Sequence, residues 1–169
     1  MRMRALSFFA VPLLTLASCG TPQQASLPAG AKVDRIVVVK HQGWLTAYSG
    51  GDELVTYFNI DLGGAPAGRK RFEGDGLVPE GDYVIMRGKP DSRDLPSLSI
   101  SYPNAADRAY AAKRGRSAGG GIMIYGSPVP MPRYVGSRSK TDGDIGLRHA
   151  EMRQLREITP DGTPITILP

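Results

Sequence analysis

Few side chains in this sequence of 169 residues are suited to chemistry, and they lie at its two ends. Cys19, the only cysteine, closes the string Leu16-Ala17-Ser18-Cys19 behind an apolar run. Everything downstream therefore lacks a thiol, the most nucleophilic neutral-pH side chain a protein has. The two histidines are His41 and His149. His41 falls in a turn between two strand-like runs and reads as a solvated turn residue. His149 follows Asp142 and Asp144, and those three are the right donors for a metal ion or a hydrolytic water. Such a set also arises easily by chance in one loop, so neither a metal nor another cofactor is expected. Ser137, Ser139 and Thr141 supply hydroxyls nearby, but no base is placed to activate them.

The N-terminus carries an address. Arg2 and Arg4 precede the apolar stretch 5–16, the pattern of a secretory signal. The stretch is short for a bilayer span and is interrupted by Pro12. Leu-Ala-Ser-Cys is similar to the lipobox of bacterial lipoproteins. That similarity implies a signal peptide over 1–18 and acylation of Cys19. Gly20, where an aspartate would retain the protein at the inner membrane, implies an outer-membrane anchor facing the periplasm. Residues 19–32, with Pro22, Pro28 and Gly30, read as a lipidated N-terminus and flexible tether. Loss of residues 1–18 removes two of the 21 basic residues and none of the 16 acids, so the net charge falls from +5 to +3. The basic strings Arg69-Lys70-Arg71 and Lys113-Arg114-Gly115-Arg116 could draw an anionic polymer. In the cell envelope that polymer would be peptidoglycan, with its stem-peptide carboxylates, and not nucleic acid. Short basic strings are also the ordinary make-up of a solvated surface.

Residues 33–169 are enough for one domain and too few for two. With no cysteine pair, that domain must hold without disulfides. β-branched and aromatic runs predict strands over 33–40, 44–48 and 54–60, a meander punctuated by Ser49-Gly50-Gly51-Asp52. A glycine-rich loop follows from Gly63 to Gly81, and loops of that length are usually functional. It is no phosphate loop, because no Gly-Lys-Ser/Thr ending or helix follows it. Further strands are predicted at 83–86, 97–102, 122–125 and 165–167. Asn104 and Asp107 mark the start of an alanine-rich helix that ends before Gly115. The spacing of Met152, Leu155 and Ile158 predicts a second helix over 147–158. The expected class is mainly β with short helices, in two packed sheets.

Four segments together resemble the L,D-transpeptidase (YkuD-type) catalytic domain, in its periplasmic murein transpeptidase-like branch. They are the opening strands 34–38 and 45–48; Glu73-Gly74-Asp75-Gly76-Leu77-Val78-Pro79-Glu80-Gly81-Asp82-Tyr83; Leu98-Ser99-Ile100-Ser101-Tyr102-Pro103-Asn104-Ala105-Ala106-Asp107-Arg108; and Ile122-Met123-Ile124-Tyr125-Gly126 followed by Thr141-Asp142-Gly143-Asp144-Ile145-Gly146. The resemblance covers 33–169 and implies an L,D-transpeptidase-like β-sandwich. Members cut and rejoin peptidoglycan stem peptides through a cysteine thioester.

This sequence departs from the family where the chemistry resides. The family's strand ends His-Gly and its later loop reads Ser/Thr-x-Gly-Cys; here Tyr125 stands for the histidine and Asp144 for the cysteine. Gly126, Thr141, Asp142 and Gly143 would be their pocket neighbours. Aspartate attacking an amide would have to form an anhydride less stable than the bond it broke. Tyrosine, with a pKa near ~10, is a poor general base. The usual acyl transfer is therefore expected to be absent. Asp144 could instead accept a hydrogen bond from Tyr125, docking the two segments without reactivity.

Three readings compete. A non-catalytic envelope lipoprotein would bind peptidoglycan or a murein-processing protein. An altered hydrolase or transferase would use Asp144 on stem peptides. A scaffold would regulate active relatives. Loss of both reactive residues favours the binding pseudoenzyme, because fold does not carry function when the site has changed.

Overall fold

The computed structural model describes residues 27–28, 30–63, 68–87, 96–127 and 142–169. Strands β1 (Arg35–Val39), β2 (Trp44–Ser49) and β3 (Asp52–Phe58) form the expected antiparallel meander. After it come β4 (Gly81–Met86), β5 (Ser97–Ile100), helix α1 (Ala105–Ala112), β6 (Met123–Ser127), β7 (Ile145–Arg148), α2 (His149–Ile158) and β8 (Pro164–Leu168). The mainly β class with two short α-helices is as the sequence predicts. The two layers belong to one sheet of eight strands, in the order β3-β2-β1-β8-β4-β5-β6-β7. The sheet curls until its ends approach. Asp61, just beyond β3, exchanges backbone hydrogen bonds of 2.9 and 2.7 Å with Gly146 of β7.

Alternation along the strands explains the core. Ile36 and Val38 lie opposite Ala47 and Leu45 on one side and Ile165 and Ile167 on the other. Tyr83 and Ile85 continue that face through β4, and Leu98, Ile124 and Ile145 through β5 to β7. All are buried in one cluster, which α2 completes with Met152 and Leu155. Strict period-two alternation places every one of these side chains on the inner face.

Several boundaries differ from the sequence reading by one or two residues, among them the strand read over 97–102, which ends at Ile100, and two of the differences have a clear cause. The first strand stops at Val39, and Lys40–Gln42 turn as a 3-10 helix ending at Gly43 (φ 65°). The helix predicted over 147–158 begins at His149, because Ile145–Arg148 is a strand. That strand owes its existence to β6 and Asp61, far away in sequence, so local spacing does not reveal it. Helix α1 starts as predicted: the Asn104 side chain accepts from the Asp107 amide (3.0 Å), and Asp107 accepts from the Asn104 amide (3.1 Å). Glu151 reaches back in the same way to the Arg148 amide at 3.1 Å, fixing the start of α2.

Candidate functional site

The site is built where β6 and β7 run parallel. Tyr125 pairs with Gly146 and Ile124 with Ile145. Asp144 thus stands one residue before the paired register, beside Met123. Its carboxylate accepts the Met123 amide at 2.9 Å, a side-chain rung added to the ladder. This bond ties Asp144 to β6 through the backbone two residues before Tyr125. Half-buried Tyr125 lies on the face of β6 opposite Gly126, and both Tyr125 and Ser127 have further contacts. Burial pushes the Asp144 carboxyl up, and the charge of Asp142 pushes the same way; the Met123 amide and the Lys70 ammonium oppose them without cancelling the rise.

Gly126 and Gly143 lock the site's two strands into place. A Cβ on Gly126 would lie 3.2 Å from Met152 Cβ and 3.3 Å from the His149 Cα, so helix α2 sits directly on β6. His149 therefore packs on the Gly126 side of the strand, opposite Tyr125. Gly143 has φ +99°, and a Cβ there would lie 2.5 Å from the Leu77 carbonyl oxygen. Only glycine fits this approach. Asp142 is exposed beside it, whereas Thr141, Ser137, Ser139 and Cys19 lie outside the described residues. Among the described residues no three His, Cys, Asp or Glu side chains gather as metal donors, so Asp142, Asp144 and His149 do not converge. His41 is exposed, and its Nδ1 lies 2.7 Å from the Pro169 carbonyl oxygen.

Leu77 belongs to the glycine-rich loop, so that loop forms a wall of the site. Its order comes from two buried lysines. Lys40, 1% exposed, donates to the Gly68 carbonyl, to the Val78 carbonyl (3.2 Å) and to Glu80 (2.7 Å), joining both ends of the loop. Lys70, 2% exposed, donates to Asp75 at 2.8 Å and to the Phe72 carbonyl at 3.2 Å. Asp75 also accepts the amides of Arg71, Phe72 and Leu77. Burial alone would raise its pKa, but those amides and Lys70 hold it below the usual carboxylate range. Arg69 pairs with Asp107 at 2.9 Å, and Asp107 accepts the Tyr83 hydroxyl at 2.9 Å. The string Arg69-Lys70-Arg71 is thus divided: Lys70 turns inward, Arg69 ties the loop to α1, and Arg71 remains for the surface.

Sequence reasoning missed Lys40 and Lys70 because a lysine after a β-branched run, or inside a basic string, reads as solvated. One signal was present: Asp75 between Gly74 and Gly76 is the type of residue that accepts several amides in a turn.

Comparison with known proteins agrees with this architecture. Residues 33–167 match the model of the L,D-transpeptidase catalytic domain, YkuD. YafK of Escherichia coli strain K12 is 36% identical over 85 residues, which is 49% of this chain and 32% of YafK. The helical cell shape determining protein Pgp2 of Campylobacter jejuni superposes with a TM-score of 0.59 at 24% identity, over 81% of this chain and 48% of Pgp2. Bd1075 of Bdellovibrio bacteriovorus gives 0.55 at 24%, over 86% of this chain and 51% of that one. These two likenesses are of fold, and the chain spans about a third to a half of each relative's length. With the family model matched across nearly the whole described domain, the chain belongs to the L,D-transpeptidase catalytic domain (YkuD) family.

Proposed function

We propose that this protein is a cell-envelope lipoprotein, acylated at Cys19 after removal of residues 1–18 and held at the outer membrane, whose transpeptidase-like domain binds peptidoglycan stem peptides without cutting them. Family membership supports a peptidoglycan-related role. The observation that carries the non-catalytic reading is the state of Asp144, at the family's cysteine position. Its carboxylate is engaged by the Met123 amide and cannot form a stable acyl intermediate with an amide substrate. A phenol, which Tyr125 would place at the family's histidine position, is a poor general base. The tether 19–32 would let the domain reach the wall from its anchor.

One observation favours the runner-up. The Asp144 carboxyl is raised by burial, the direction that suits a general acid or base of an altered hydrolase or transferase. The test is incubation of the whole chain in detergent with intact sacculi and defined muropeptides, read by mass spectrometry beside a retention assay. Unchanged muropeptides with saturable retention are expected. New or lost crosslinks that vanish in Asp144→Ala would establish the altered enzyme instead. Absence of both turnover and retention would turn attention to a murein-processing protein partner.

A further inference from the structure

The two basic strings, far apart in sequence, meet on one surface. Phe72 of the glycine-rich loop lies 6.0 Å from Tyr110 of α1, centroid to centroid. Arg71 and Arg114 lie over the Tyr110 ring at 4.2 and 3.7 Å, and Arg116 lies over Phe72 at 3.8 Å. The loop is also tied to the segment that follows α1 by the Glu73 amide, which donates to the Ser117 carbonyl at 2.9 Å. The result is a ladder of three guanidiniums on two rings. Among the described residues none of the three forms an ion pair, and exposed Glu73 in the same loop pairs with none of them. Arg114 donates to the Tyr110 carbonyl at 3.2 Å, which fixes its fork further.

Three unneutralised cations held together repel one another, so a structure that gathers them needs a reason. The attraction of each guanidinium to a ring face offsets part of that repulsion. Each guanidinium also keeps in-plane N–H edges that a ring contact does not use, although Arg114 gives one donor to the Tyr110 carbonyl. Those edges match a carboxylate bidentately. Arg69 and Lys70 are already neutralised by Asp107 and Asp75, so of that string only Arg71 is left for an outside anion, and it is the one that joins Arg114 and Arg116 on the rings. Its position matters as well: Arg71 and Phe72 sit on the loop whose Leu77 carbonyl abuts Gly143.

We propose that Arg71, Arg114 and Arg116, stacked on Tyr110 and Phe72, form a docking site for closely spaced carboxylates of peptidoglycan stem peptides, separate from the Tyr125–Asp144 position. This rests on the peptidoglycan reading for the source of the carboxylates, though not for the site itself. Retention of the whole chain in detergent is measured on native sacculi, on sacculi with amidated carboxyls, on polyglutamate and on phosphatidylglycerol vesicles. Native sacculi and polyglutamate should retain the chain, and amidation should weaken retention about ten-fold or more, as loss of charge-assisted bonds does. R71Q/R114Q/R116Q should show the same loss. Neutralising Lys32, Arg35 and Arg153 instead should cost less than about two-fold, because diffuse charge is screened over about a Debye length. Tyr110→Leu, which keeps every charge, should lose several-fold with far-UV circular dichroism unchanged. Equal loss in the two triple variants, or retention indifferent to amidation, would overturn the site while leaving the peptidoglycan reading intact. Retention on polyglutamate without retention on sacculi would fail that reading and keep the carboxylate site. Preference for the vesicles over both would overturn the carboxylate assignment.

Discussion

Replacing Gly143 by alanine tests how the candidate site is held. The backbone there has φ +99°, which costs an L-residue roughly 1–2 kcal/mol. The new Cβ would also lie 2.5 Å from the Leu77 carbonyl oxygen and 3.2 Å from Ile122 Cδ1. The first is a backbone atom of a loop pinned by Lys40 and Asp75, so it cannot simply rotate aside. Overpacking of this kind adds about 1–3 kcal/mol. The expected cost is about 3 kcal/mol, or about 10 °C in melting temperature for a domain of this size. Gly121→Ala is the control, since Gly121 has φ +72° and nothing within 4 Å of its Cβ position. It should pay the conformational strain alone, about 1 kcal/mol. Thermal and urea unfolding of both variants, followed by circular dichroism, gives the difference directly. If the two variants melt together, the contact between the Asp142–Asp144 turn and the glycine-rich loop does not hold the site, and the reasoning fails.

Three further expectations follow from the buried charges. Asp144→Asn keeps an acceptor for the Met123 amide and removes a charge that burial disfavours, so it should stabilise the fold at neutral pH. Because the folded pKa of Asp144 is raised, that gain should shrink as pH falls through the raised value toward the unfolded one, where the wild-type carboxyl is itself neutral; a gain that grows on acidification would contradict the assignment. Asp75→Asn should do the opposite. The folded pKa of Asp75 is depressed, so its contribution is full above the unfolded value near ~3.9 and is lost as pH falls through the folded one; melting curves of the two proteins should converge in acid. Lys40→Met should cost about 3–5 kcal/mol by urea unfolding, because it leaves Glu80 and two carbonyls without their buried partner, and a cost under 1 kcal/mol would mean that water replaces the ammonium.

The sequence alone determined the meander, the capped helix α1 and the class of the fold, since each is written in short-range physics. Alternation in 35–39 and 44–49 has one solution on a half-buried sheet, and Asn104 with Asp107 has one as a capping box. The proposal that Asp144 and Tyr125 stand where the family has a thiol and an imidazole likewise rests on the sequence, because residue type alone limits what can be a nucleophile or a base. What these residues do with their atoms does not. Asp144 takes the Met123 amide because the parallel register of β6 and β7 brings that donor alongside, and register between strands about twenty residues apart is a property of the assembled sheet. Strand β7 itself exists only through partners on β6 and at Asp61. The basic strings show the same division. Composition located the cations, but only the packing of a loop on a helix decided that Lys40 and Lys70 are interior, that Arg69 is paired, and that Arg71, Arg114 and Arg116 share one aromatic platform. Charge is carried by the residue, whereas burial and partnership are set by which distant segments fold against it.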